Sequence, residues 1–165
     1  MLNDTDQWLG VEQLPRFKDP LTALLWGSRI YLVHASSGEP APPALHLLFS
    51  KVLCSDTEAA LQQVLDFMMF HSTIPLAVHA LDCECVSAHE QALADAIRAV
   101  QAGSLVGYQN AMAGVLLDDD AMTIGPQIQC IANALRHIEH AGFVQSAVTV
   151  DRSTATDNAP VSQYH

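Results

Sequence analysis

Residues 71–89, HSTIPLAVHALDCECVSAH, carry the densest set of reactive side chains in the chain. The protein has four cysteines and eight histidines, and five of these, His71, His79, Cys83, Cys85 and His89, fall in this stretch. Two thiols separated by one residue, with an imidazole four residues on, can cycle between dithiol and disulfide or bind a soft metal ion. Either chemistry needs several donor or nucleophilic groups close together.

Ser87 and Glu90 form the capping-box pattern S-x-x-E, which starts a helix and sets Cys85 two residues ahead of its N-cap. A helix N-terminus has unpaired N–H groups and partial positive charge, so it favours a thiolate there. His89 falls in the first turn, where it could exchange a proton with a sulfur. Asp82, Glu84 and Glu90 act against a thiolate. Cys83 lies between two of these carboxylates, so Cys85 is expected to be the more nucleophilic thiol. The same pair can also be read as two small apolar side chains buried in a loop. A third reading is a metal site of Cys83, Cys85, His89 and either His79 or His71, with zinc the first choice. The spacing C-x-C-x3-H is not that of a zinc ribbon or finger.

The run LAVHALDCECVSAHEQAL resembles the signature segment of the alkylhydroperoxidase D / carboxymuconolactone decarboxylase family, which reads like LAVSxxNGCxYCVxAHE. Leu76-Ala77-Val78 and Cys85-Val86-Ser87-Ala88-His89-Glu90 match it, over about 17 residues. Here the cysteines are C-x-C rather than C-x-x-C, and Leu81-Asp82 replace the usual Asn-Gly. Peroxidase members carry a glutamate about three helical turns upstream, near the place of His71. The resemblance implies a helical, oligomeric thiol protein with Cys85 as attacking thiol, Cys83 as its resolving partner and His89 assisting proton transfer. A small-molecule hydroperoxide and a thiol reductant would then be its partners, and no cofactor is called for. A C-x-C disulfide closes a small ring, so it is expected to be readily reduced.

The elements that must position this segment read as helices. Asp19-Pro20 is an N-cap followed by proline at the first helical position. Leu21, Leu24, Leu25 and Leu32 follow at helical spacing, with Gly38 as a stop. The stretch 29–34 (RIYLVH) also fits a short strand, but helix is favoured. Residues 37–43 (SGEPAPP) read as a loop and Leu45, Leu48, Val52 and Leu53 as a short helix. Ser55 with Glu58 makes another capping-box pattern and predicts a helix over 55–71 carrying Leu61, Val64, Leu65 and Met68. The Ser87 box predicts a helix over 87–102 carrying Leu93, Ile97 and Val100, stopping near Gly103. A further helix carries Leu105, Tyr108, Met112, Val115 and Leu116. Asp118–Asp120 read as an acidic capping loop, since three consecutive carboxylates cannot converge on one cation. The last helix starts near Pro126, shows Ile128, Ile131, Leu135 and Ile138, and ends at Gly142. His137 and His140 fall off that stripe, exposed near a helix C-terminus that favours cations. Cys54 and Cys130 sit in apolar helical contexts and are expected in the core. His34 and His46 are isolated.

Half of the residues are hydrophobic and only 6% aromatic, with Ala and Leu abundant, which favours helices. The expected fold is all-α: a single compact domain of five to seven helices over residues 1–150, with an AhpD-like arrangement possible and a polar, flexible tail at 151–165. Seven basic residues against eighteen acidic ones give a net charge of −11, which repels phosphate backbones and anionic membranes. No nucleic-acid or membrane partner is expected. No secretory signal and no transmembrane helix are expected either, so the reading is cytoplasmic, where paired thiols point to redox or metal roles rather than a structural disulfide. So much apolar surface with so few charges predicts a homo-oligomer. The rival to thiol-redox chemistry is a non-enzymatic acidic helical interaction module whose cysteines and histidines fill space.

Overall fold

Asp19 caps the first helix as its sequence predicts. Its carboxylate accepts from the Thr22 backbone N–H at 2.7 Å and from the Thr22 hydroxyl at 2.9 Å, with Pro20 at the first helical position. The computed structural model describes residues 14–143. Among them are seven helices and no strand: α1 (Pro20–Ser36), α2 (Pro43–Lys51), α3 (Ser55–His71), α4 (Ala88–Gln101), α5 (Leu105–Met112), α6 (Asp118–Thr123) and α7 (Gly125–His140). The expected tail at 151–165 lies outside the described residues.

Residues 29–34 are part of α1, so the alternative of a short strand is not taken. Helix α1 lies inside the fold and packs against α2, α3, α4 and α7. Gly27 lets α2 come close: a Cβ there would stand 2.7 Å from Leu48 Cδ2. Leu24, Leu45, Leu48 and Phe49 are buried around this crossing. Each such side chain contributes roughly 1.5–3 kcal/mol by leaving water.

Helix α3 spans 55–71 as expected, but not by the expected cap. Cys54 occupies the N-cap without a side-chain bond, and Ser55 is already the first helical residue. A capping box needs Ser in the extended N-cap conformation, and the helix starts one residue too early for that. Glu58 turns instead to His46, 2.6 Å away. The Ser87–Glu90 box is made in full: Glu90 N–H donates to Ser87 Oγ at 3.2 Å and Ser87 N–H to Glu90 Oε2 at 2.8 Å.

Three further readings are corrected. Asp118–Asp120 are not a loop but the first turn of α6, where the helix dipole favours carboxylates. Helix α5 stops at Met112, and Val115 and Leu116 are buried in the turn beyond it. Cys54 and Cys130 are not core residues: Cys54 is half-buried and Cys130 exposed. On α7 the buried face is Ile128, Ile131, Ala132 and Leu135, and position 130 is on the other side. His137 and His140 are exposed, as expected. Gly103 (φ 70°) and Gly142 (φ 81°) take left-handed conformations just after α4 and α7, which suits glycine at a helix end.

Helix α4 packs against α5 and α7, and α7 against α3, around a shared apolar core. Between α3 and α4 the chain runs from 72 to 87 without regular structure. Ile74, Leu76 and Leu81 anchor this long loop on the core. No helix among the described residues is long and apolar enough to cross a membrane.

Candidate functional site: a dithiol loop held by a buried arginine

A backbone without ladder or helix must find its hydrogen bonds elsewhere. In the loop at 80–85 they go to Arg29, near the middle of α1. Its Nη1 donates to the carbonyls of Ala80 (3.0 Å) and Cys83 (2.6 Å), and its Nη2 to that of Cys85 (2.6 Å). Nη2 also reaches Glu90 Oε2 at 3.1 Å, and Nε pairs with Glu90 Oε1. All five guanidinium N–H groups are thereby used. Arg29 and Glu90 are both buried, so their opposite charges compensate each other where water cannot. Glu90 does double work, closing the capping box of α4 as well. This single contact set joins α1, the loop and the start of α4.

Held this way, the loop brings Cys83 and Cys85 together. Their sulfurs are joined in a disulfide with Cα atoms 5.3 Å apart, and the Cys85 N–H donates to Cys83 Sγ at 3.2 Å. Cys83 is half-buried and Cys85 exposed, so the pair is neither core filling nor out of reach. Asp82 and Glu84 on either side of Cys83 are exposed.

The imidazole beside the sulfurs is His79. One ring nitrogen of His79 and both sulfurs lie within 4.8 Å of one another. His79 also edges an apolar hollow of about 130 Å3, walled by Ile30, Val33, Pro42, Ala44 and Leu81.

His89 has a different partner. Its Nε2 lies 2.7 Å from Ser72 Oγ, at the C-cap of α3. The Ser72 hydroxyl donates to Ile74 O at 2.7 Å, so its oxygen accepts from a protonated Nε2. Nδ1 is then an unprotonated acceptor, buried and without a hydrogen-bond partner among the described residues. Burial holds the His89 pKa below its ordinary value. Because the Ser72 proton is committed to a carbonyl, this pair ties α3 to α4 rather than forming a serine nucleophile. His71 is elsewhere again. It stacks on Phe67 with ring centroids 4.0 Å apart, and its Nδ1 is 3.4 Å from Asp120.

Of the residues singled out by sequence, then, Cys83, Cys85 and His79 gather, while His89 and His71 face α3's C-cap and α6. Arg29 escaped the sequence reading, although a lone arginine inside the run LTALLWGSRIYLVH is a signal of a buried charge seeking a partner. No family model matches the chain, and neither the curated proteins nor the solved structures contain a match.

Proposed function

We propose that this protein is a cytoplasmic thiol-redox protein of the alkylhydroperoxidase D type, an oxidoreductase acting on a small hydroperoxide through Cys85 and Cys83. The observation that carries the reading is the bonded Cys83–Cys85 pair on a reachable loop at the start of α4. In the reduced protein, Cys85 thiolate attacks the terminal oxygen of a hydroperoxide. The O–O bond breaks, the alcohol leaves with a proton, and Cys85 becomes a sulfenic acid. Cys83 thiolate then attacks that sulfur, releasing water after a second proton is taken up and forming the disulfide. An external dithiol returns two electrons by exchange. His79 is the better base for the thiol proton, since it stands beside both sulfurs while His89 is engaged by Ser72. The hollow next to His79 suits a short apolar tail on the hydroperoxide.

Self-association belongs to the same reading. Leu105 and Val106 on α5, Leu117 and Met122 around α6, and Phe70 at the end of α3 are exposed apolar side chains. They give a second copy something to cover.

The test is thiol chemistry on the reduced chain. One equivalent of hydroperoxide should consume two thiols per chain, both in the peptide holding 83 and 85. In Cys83→Ser the Cys85 sulfenic acid should persist long enough for trapping by a dione reagent. In Cys85→Ser peroxide should leave Cys83 intact. If both cysteines alkylate only after unfolding and peroxide leaves them untouched, the redox reading fails and an interaction module remains.

A further inference from the structure

We infer that the reduced dithiol loop binds one thiophilic divalent cation of the zinc class through His79, Cys83 and Cys85. In the disulfide form the three donor atoms lie within 4.8 Å of one another, the two sulfurs bonded to each other, and reduction frees both sulfurs beside His79. The donors are two sulfurs and an imidazole nitrogen, the donor types that zinc-class ions prefer. The carbonyl bonds from Arg29 fix the backbone of Cys83, of Cys85 and of Ala80 next to His79, so less ordering remains for a cation to impose.

Charge points the same way. Asp82 and Glu84 flank Cys83, and between Lys51 and Arg98 the sequence has no lysine or arginine. Among the described residues, the guanidinium that touches the loop is that of Arg29, and it is matched by Glu90. Two bare thiolates in such surroundings lack a counter-charge among the described residues. A divalent cation supplies it, and the neighbouring carboxylates then attract the ion rather than oppose the sulfurs. Three protein donors leave a fourth position, and the exposure of Cys85 opens it to water or an exogenous ligand.

Disulfide and cation compete for the same sulfurs. With a hydroperoxide as oxidant, the cation-bound dithiolate loses two electrons and forms the S–S bond. The peroxide O–O bond takes up those electrons and two protons, giving alcohol and water, and the cation leaves intact. This release half rests on the redox reading above, whereas the binding half does not.

The experiment titrates the full chain, reduced and in a Cys54→Ser/Cys130→Ser background, with cadmium, which reports thiolate bonding by ultraviolet charge transfer. Zinc is then the competitor. The expected result is one cadmium per chain by native mass spectrometry, displaced by zinc, with no binding to the disulfide form. His79→Ala and His79→Gln should each weaken binding by at least about the tenfold that loss of an outer-shell partner alone costs. Cys83→Ser and Cys85→Ser should abolish the band. A band that survives either serine variant, an undiminished affinity in both His79 variants, or no saturable binding overturns the inference. Peroxide added to the loaded chain should free one cation for each disulfide formed. Binding without such release overturns the release half but keeps the site, and the redox reading falls with it only if the metal-free reduced chain is also untouched by peroxide. Peroxide oxidation in a chain that never binds cation does the reverse.

Discussion

At the scale of single residues, Arg29 decides more than any cysteine does. Replacing it by alanine leaves Glu90 buried without its counter-charge and frees three loop carbonyls. Such a loss costs about 3–5 kcal/mol, whereas removing both charges together costs much less. Denaturant unfolding should therefore show Arg29→Met/Glu90→Leu to be more stable than the sum of the two single variants implies. A double mutant that merely adds its parts would mean the pair is not coupled. His89 gives a pH signature. Its ordinary pKa is 6.5 and burial lowers it in the folded state. Between the two values the unfolded chain binds more protons, so stability falls as the pH drops below about 6.5 and the loss is complete below the folded value. His89→Gln keeps a donor for Ser72 but cannot titrate. It should remove that part of the acid slope in parallel unfolding curves, and an unchanged slope would rule the residue out. The cysteine cluster was legible in the sequence because its members are neighbours in the chain. Which histidine joins it was not, since the path of an irregular loop leaves no periodic trace. Arg29 was hidden for another reason: its partner Glu90 is 61 residues away.

Helices α3, α4 and α7 were readable as elements because long apolar stripes of period 3.6 survive uncertainty at their ends. Helix α6 was not, since six residues beginning with three aspartates carry no stripe to read. Two similar capping patterns had different outcomes, and stability measurements can separate them. Ser87→Ala removes an acceptor used by the Glu90 N–H and should cost about 1 kcal/mol. Ser55→Ala touches a residue already inside α3 and should stay within about 0.5 kcal/mol of the parent. Equal losses in the two variants would restore a cap role to Ser55.

The whole molecule combines exposed apolar side chains with a net charge of −11. The two act in opposite directions on self-association: like charge separates copies, while apolar burial joins them. Salt screens the first and leaves the second. Sedimentation should therefore show association rising from low to high ionic strength, and Leu105→Glu with Met122→Glu should reverse it. A monomer at micromolar concentration in both salts would remove the oligomer from the reading. The all-helical architecture was legible from composition together with the helical stripes. The oligomeric state was not, because exposed leucines are common on monomers too.

The loop is gripped by its peptide carbonyls, and a carbonyl is the same in every amino acid. The shape of residues 82–85 is thus largely indifferent to which side chains they carry, provided Arg29, Glu90 and the Leu81 anchor stay in place. That makes the segment a natural graft site. Asp82 and Glu84 can be exchanged for neutral or basic residues to tune the thiols without rebuilding the fold. Other short ligand motifs can be seated there after Leu81, on a scaffold that grips them by their carbonyls.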